Sequence, residues 1–274
     1  AATVSVGSGP TAVAVNPVTG KVYVAKPGSD QVTVIDGTTN NTTNVAVGDA
    51  PLAVAINPVT NRIYVANNGS NDVTVIDGAT NVVLATVSVE TDPMAVAVNP
   101  TTNKIYVASN GSLDVTVIDG ATNGTTTVLI AGVALALAVN QATNKIYVSH
   151  VDTVLSWPWV VEIDGATNIP FFPALSGGNG PVAVAVNPIT GKIYAANSGG
   201  NNLGVITTHK AQSIPLATAI SPLPGDTTRS ATPAFTFNAA SGYAPTAPPV
   251  RQIYYQADTW TGQWRRATPQ GSSG

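Results

Sequence analysis

The sequence predicts an all-β protein built from repeated four-stranded units, and three observations carry the prediction. A segment of the form Ala-Val-Ala-Val-Asn-Pro, a short turn, then Lys/Arg-Ile-Tyr-Val-Ala recurs with its Asn at 16, 57, 99, 140 and 187. The spacings are 41, 42, 41 and 47 residues. A second segment, Val-Thr-Val-Ile-Asp-Gly, recurs with its Asp at 36, 77, 119 and 164. Finally, 25 Gly and 20 Pro are scattered over the whole length, which leaves β-branched alternation but no sustained helical period.

Each repeat reads as four short strands, a to d. In repeat 2 these are Leu52–Ile56, Arg62–Ala66, Asp72–Ile76 and Val82–Val89. The a–b turn ends at Gly20, Asn61, Asn103, Asn144 and Gly191, and the c–d turn at Asn40, Asn81, Asn123 and Asn168. Only Gly and Asn occupy these positions, and both accept the left-handed backbone of a turn closed by a bulge. Asp36 and its equivalents are placed to bond back onto their own turns. Four-stranded units of about 40–45 residues indicate propeller blades. The Ala-Val-Ala-Val strand fits the innermost position, where small side chains let blades approach. Packing on both faces explains why these strands lack a polar side.

Tyr64-Val65-Ala66-Asn67, with its surrounding Asn-Pro-x-Thr-Asn and Val-Ile-Asp, closely resembles the YVTN-type β-propeller repeat, over residues 1–207. The resemblance implies a propeller fold and a bacterial or archaeal protein that is secreted or held at the cell surface. It implies little about activity, because propellers host many functions. Five repeats are visible, and a five-bladed ring is expected. Thr3–Val6 matches a strand d (compare Thr86–Val89). It either completes the last blade, joining the chain's two ends, or belongs to an upstream blade. Repeat 5 loses the Asp-Gly turn at Ile206-Thr207-Thr208-His209, and Ser213–Ala217 is the candidate for its fourth strand.

The propeller unit is expected over residues 1–219, which carry a net charge of −5, and a second unit over 220–274, with +2. From Ile220 the repeat is gone and Pro becomes frequent. A strand is expected at Ala234–Asn238, and Arg251–Asp258 with Gln263–Ala267 flank the hairpin turn Thr259-Trp260-Thr261-Gly262. This tail resembles the opening strands of a bacterial immunoglobulin-like module. Such a sandwich takes about seven strands, so the tail reads as truncated or as packed on the propeller. Its Trp260, Trp264, Tyr254 and Tyr255 read as unburied core in preference to a sugar or nucleic-acid surface.

Composition narrows the function classes. Only 9% of residues are charged, against about 25% in an average domain. A pI near 5.1 leaves no basic footprint for a nucleic-acid backbone. The longest apolar run, Val133 to Val139, is far below the roughly 20 residues of a membrane helix. No nucleic-acid partner and no membrane insertion are therefore expected. There is no cysteine, no phosphate-binding loop and no Gly-x-Ser-x-Gly elbow. The two histidines, His150 and His209, are too few for a multi-His metal site. No cofactor is implied.

Candidate binding residues emerge where the repeat varies. Directly after Tyr-Val-Ala the column reads Lys26, Asn67, Ser109, His150 and Asn197, expected to ring the channel mouth on the face shared by the d–a and b–c loops. Thr11, Leu52, Met94, Leu135 and Val182 follow the d–a proline position nearby and are mostly apolar. Such a mouth suits a small neutral ligand or a peptide. Repeat 4 departs most: its b–c connection, His150 to Trp159, is four residues longer than that of repeat 2 and carries Asp152, Trp157 and Trp159. Glu162 replaces Val34, Val75, Val117 and Val205 of the other repeats, a costly position for a carboxylate without a partner. Trp157 and Trp159 form either a stacking platform for a sugar ring or a lid over the mouth.

Two functions compete. One is a non-catalytic extracellular binding or scaffold protein that takes a carbohydrate or protein at its loop face. The other is a lactonase- or lyase-type propeller enzyme using Glu162, Asp152 and His150, with His150 as general acid/base and a divalent ion.

Overall fold

The computed structural model describes residues 2–152, 158–175 and 178–207, and four short strands beyond them. The chain divides into two compact units, Ala1–Thr208 and His209–Gly274, a boundary ahead of the composition break at Ile220.

In the first unit the repeats fold into successive antiparallel meanders. The first holds β1 (Ala12–Val15), β2 (Val22–Lys26), β3 (Gln31–Ile35) and β4 (Thr42–Ala46). The second holds β5 (Pro51–Asn57), β6 (Arg62–Asn67), β7 (Asp72–Asp77) and β8 (Val83–Ser88). In the third are β9 (Pro93–Asn99), β10 (Lys104–Ser109), β11 (Asp114–Asp119) and β12 (Thr125–Leu129). The fourth comprises β13 (Gly132–Asn140), β14 (Lys145–Asp152), β15 (Pro158–Asp164) and β16 (Ile169–Leu175). The fifth has three strands, β17 (Pro181–Val186), β18 (Lys192–Asn197) and β19 (Asn202–Thr207). The first strands of successive sheets lie together, β1 with β5, β5 with β9, β9 with β13 and β13 with β17, so the sheets are the blades of an all-β propeller fold.

Turn chemistry behaves as the residue types dictate. Gly20, Asn61, Asn103, Asn144 and Gly191 all have positive φ, as do Asn40, Asn81, Asn123 and Asn168. In each c–d turn one carboxylate oxygen organises the loop. Asp77 Oδ1 accepts from Ala79 N at 3.0 Å, Thr80 N at 2.8 Å and Thr80 Oγ1 at 2.9 Å.

The core sits between blades, and every junction joins the same two surfaces. The back of the first blade gives Tyr23, Val32 and Val34, and the front of the second gives Ile63, Val65 and Ile76. The next junctions repeat this with Tyr64, Val73 and Val75 on Ile105, Val107 and Ile118, then Tyr106, Val115 and Val117 on Ile146, Val148 and Ile163. Tyr147 and Val160 meet Ile193, Ala195 and Ile206 at the last. Period-2 alternation makes this possible, since each strand sends neighbouring residues to opposite blades.

Polar stitches run along the turn end. Asn57 Nδ2 donates to Asn103 Oδ1 of the next blade at 2.8 Å, and Asn16 and Asn99 do the same to Asn61 and Asn144, both at 2.7 Å. In the first three blades the basic residue at the start of the second strand reaches across as well. Lys21 Nζ donates to Ala79 O at 2.8 Å, Arg62 to Gly120 O at 2.6 Å and Lys104 Nζ to Gly165 O at 2.7 Å.

The ends of the array differ from expectation. Thr3–Val6 forms no strand and pairs with no sheet. It lies against the first blade, where Thr33 Oγ1 donates to Val6 O at 3.3 Å. Among the described residues β19 has no outer strand, and no packing like that of the other inner pairs joins β17 to β1. In the second unit β20 (Leu216–Ile220) pairs with β21 (Phe237–Ser241), and β22 (Tyr254–Tyr255) with β23 (Arg265–Arg266). The strand expected at Ala234–Asn238 thus falls at Phe237–Ser241; of the segment proposed as the fourth strand of repeat 5, Leu216 and Ala217 belong to β20, and Ser213 to Pro215 lie outside the described residues. Trp260 and Trp264 lie outside the described residues.

Candidate functional site

The d–a and b–c loops do share one end of the blades, because their backbones interlock. Asn68 N donates to Ala50 O at 3.0 Å, Asn110 N to Asp92 O at 2.8 Å and Ser198 N to Gly180 O at 2.9 Å. The b–c loops of the first two blades also hold the d–a loop leading into the next blade: Ala50 N donates to Asp30 Oδ1 and Asp92 N to Asn71 Oδ1, both at 2.9 Å.

The column expected to ring the mouth lies beneath this lacework. Lys26, Asn67, Ser109, His150 and Asn197 are all buried. Asn67 Nδ2 donates to Asp72 Oδ1 at 2.6 Å and Thr74 Oγ1 at 2.8 Å, while Asn197 Nδ2 donates to Asn202 Oδ1 at 2.8 Å. Lys26 Nζ reaches Asn44 Oδ1 at 3.2 Å, and Ser109 Oγ donates to Glu90 O at 3.4 Å. The roof is d–a backbone brought close by glycine. A Cβ at Gly48 would collide with Asn67, at Gly132 with His150, and at Gly178 with Asn197. The expectation of a solvated ring is therefore corrected. Lys26, Asn67, Ser109 and Asn197 are polar pegs that bond loop and strand groups beside them, and His150 is buried in the same column.

Side chains on the surface of this end come from neighbouring positions. Met94 and Val182 are exposed, and Leu52 and Leu135 are half-buried, each just inside the start of an inner strand. One residue beyond the column stand Pro27, Asn68, Asn110, Val151 and Ser198, all exposed or half-buried. Asn110 Nδ2 lies 3.0 Å from Met94 Sδ, and Asn68 Nδ2 is 3.5 Å from Pro93 O, so the amides rim the apolar row. Strand alternation was the available signal: a residue whose neighbour is buried faces the other way. Glu90 is half-buried beside Asp114. Burial, and then the Glu90 charge, raise the Asp114 carboxyl above its ordinary value.

Repeat 4 does not gather its unusual residues into one site. His150 lies opposite Ala134 on β13 and Trp159 on β15, at the loop end. Glu162 is opposite Tyr147 and Phe171, towards the turn end. There Lys145 Nζ lies 3.3 Å from Glu162 Oε1 and 2.9 Å from Asp164 Oδ2. The carboxylate in the valine column is thus paired, and it is separated along the strands from the His150 it was grouped with. Asp152 contributes backbone to β14, its side chain is not among the described ones, and Trp157 lies outside the described residues.

The ion-pair cluster has a physical cause in the repeat. Lys145 occupies the column of Lys21, Arg62 and Lys104, whose targets are the next blade's Asp-Gly turn. Repeat 5 has no such turn, so Lys145 folds back onto its own blade. It borders a shallow cavity of about 250 Å³ with Glu162, Asp164, Thr167, Ile169, Pro170 and Phe171. Burial pushes the Lys145 ammonium down, but the Asp164 hydrogen bond and the two carboxylates outweigh it and raise its pKa overall. Burial likewise pushes Asp164 up, and Lys145 with the Thr167 and Ala166 amides brings it below its ordinary value. Among the described residues no three His, Cys, Asp or Glu side chains come together as a metal-binding group.

No protein-family model and no curated protein matches the chain. Solved structures do. The chain is similar to hydrazine synthase from Kuenenia stuttgartiensis, at 20% identity and a TM-score of 0.63, covering 70% of this chain and 56% of that one. It is also similar to a chain of a nidogen/laminin complex, at 13% identity and a TM-score of 0.56, covering 72% of this chain and 75% of that one. This chain thus spans little more than half the length of the hydrazine synthase chain. Both neighbours are β-propeller proteins, and at these identities the likeness shows the fold.

Proposed function

We propose that the first unit is a non-catalytic recognition module that binds a protein segment at its loop end. The observation that carries this reading is the row Leu52, Met94, Leu135 and Val182, each partly open to solvent while the polar column below it is buried. Interlocked backbones hold the row rigid, which lowers the ordering cost of binding. The row is aliphatic, which favours aliphatic side chains of a peptide over the face of a sugar ring, since stacking on sugars is the work of aromatic residues. The amide rim of Asn68 and Asn110 suits the backbone of an extended ligand. The YVTN-type resemblance supports a place outside the cell, and the Ig-like resemblance of the tail supports a modular surface protein.

The test is selection of a displayed peptide library on the 274-residue chain. Selected peptides are expected to lose binding at least about tenfold with Met94→Asp and to be indifferent to Phe171→Asp at the opposite end. Peptides insensitive to Met94→Asp, or a glycan-array signal that survives it, would replace this reading.

A further inference from the structure

Among the described residues four blade junctions join a back face to a front face, and two faces are left over. They are the front of the first blade and the back of the fifth. Val13 and Val15 are 67% and 62% exposed, whereas their counterparts in the second blade, Val54 and Ile56, are half-buried in a junction. Leu203 and Val205 are 58% and 53% exposed, whereas Val73 and Val75 in the same columns are fully buried. Exposure alternates in the sense the junctions require. In β1 the valines are exposed and Ala12 and Ala14 are half-buried, while in β17 Ala183 and Ala185 are exposed and Val184 and Val186 are half-buried.

The leftover backbone is complementary too. Among the described residues β19 lacks the outer strand that the other four sheets possess. Val4-Ser5-Val6-Gly7 aligns with Val45-Ala46-Val47-Gly48, the end of an outer strand and the loop after it. This segment already takes the outer-strand position relative to the first blade. Thr33 Oγ1 bonds Val6 O, as Thr74 Oγ1 bonds Gly48 N, each at 3.3 Å.

We infer that a second copy of this chain occupies these faces. The back of the fifth blade of one copy docks on the front of the first blade of another, and residues Thr3–Val6 of that other copy add to the free edge of β19. Continuity with a junction seen four times supports this: each copy carries both halves, and although Thr3–Val6 reaches Thr33 on the first blade's front, Val13 and Val15 there and Leu203 and Val205 on the fifth blade's back stay exposed. The interface is head-to-tail, so it leaves a free face at each end until the assembly closes.

Analytical ultracentrifugation of the full chain across the micromolar range tests this. Wild type is expected to associate with rising concentration. Leu203→Glu/Val205→Glu and, separately, Val13→Lys/Val15→Lys are expected to be monomeric with unchanged circular dichroism, because the altered residues are exposed in the single copy. Each double variant keeps one intact face, so an equimolar mixture is expected to form a heterodimer and nothing larger. A monomeric wild type overturns the proposal, as does association that survives both double variants. The chain has no native cysteine, so Val13→Cys or Leu203→Cys reports cover directly. A monomer that resists thiol labelling there would assign the faces to the chain's own remaining segments, and would equally overturn it.

Discussion

The junctions joining the first four blades and the junction between the fourth and fifth have the same kind of apolar centre but different polar margins. Asn57 bonds Asn103 and Lys104 bonds Gly165 across early junctions. At the last junction Gly191 stands where the acceptor Asn would be, and the Asp-Gly turn is gone from the sequence, so both stitches are lost. Tyr147, Val160, Ile193 and Ile206 still pack. The difference teaches that apolar alternation alone suffices to stack a blade, while the Asn and basic columns add coupling between neighbours. In a repeat array such nearest-neighbour terms sum to the stability of the whole.

The largest effect tests the shared centre. Tyr106 is fully buried between the third and fourth blades, so Tyr106→Ala is expected to cost about 3–5 kcal/mol in urea unfolding, the range for truncating a core aromatic. Tyr194 holds the same column on the uncovered back of the fifth blade and is half-buried. Tyr194→Ala is expected to cost less than half as much. Equal costs would mean that the fifth blade's back face is covered in solution.

Stitches come next in size. Asn57 is buried, and its carboxamide serves Asn103 on one side and Val59 N on the other, at 3.0 Å. Asn57→Ala leaves those groups short of partners and is expected to cost about 1–3 kcal/mol. Asn140→Ala is expected to cost less, since across its junction Gly191 has no side-chain acceptor. The converse variant sharpens the comparison. Gly191 has a φ of +68 and open space where a Cβ would stand, a setting that Asn tolerates. Gly191→Asn is expected to stabilise by roughly 0.5–1.5 kcal/mol through a new bond from Asn140. Destabilisation would show that the stitch is not transferable.

How far these features were legible in the sequence follows from what strand period encodes. The recurrences at Asn16 and Asp36 fixed the strands, and the Gly/Asn columns fixed the turns, because backbone conformation at those positions is a local property. Period 2 told that Lys26 and Asn67 share a side but not that d–a loop backbone folds over that side. That cover depends on Gly48 and Gly178, which lie far from the column in sequence. Glu162 was conspicuous as a substitution in a valine column. Its partner was not, because Lys145 is common to the repeat and is redirected only by what the next blade lacks. The uncovered faces were invisible in composition, since Val13 and Leu203 are the residue types of any interior blade.

The ion pair at the last junction is expected to be worth little. Lys145 and Glu162 side chains are 30% and 18% exposed, so solvent screening keeps the pair near or below about 1 kcal/mol. Glu162→Val restores the residue of the other blades and is expected to be neutral or slightly stabilising, while Lys145→Met is mildly destabilising because two carboxylates lose their cation. A marked loss of stability in Glu162→Val would show that this carboxylate does more for the fold than its lysine contact.

The smallest effects separate the two kinds of junction by pH. In the c–d turns, backbone and side-chain hydrogen bonds from Thr39, Thr80 and Thr122 hold Asp36, Asp77 and Asp119 below the ordinary 3.8. Asp164 is also lowered, the lysine and turn amides outweighing burial. A depressed carboxylate pKa gives stability that is present above 3.8 and is lost as pH falls through the lower folded value. Lys145 has the opposite sign: its raised pKa gives stability that is present below 10.5 and is lost as pH rises through the folded value. Urea midpoints of Asp77→Asn and Lys145→Met, each subtracted from wild type across pH, therefore take different shapes. The Asp77 difference is expected to vanish only on the acid side. The Lys145 difference is expected to shrink at both extremes, in acid as its carboxylate partners protonate and in alkali as the ammonium deprotonates. A Lys145 difference that persists unchanged into alkali would mean that the side chain stabilises the junction through its methylene stem and not through its charge.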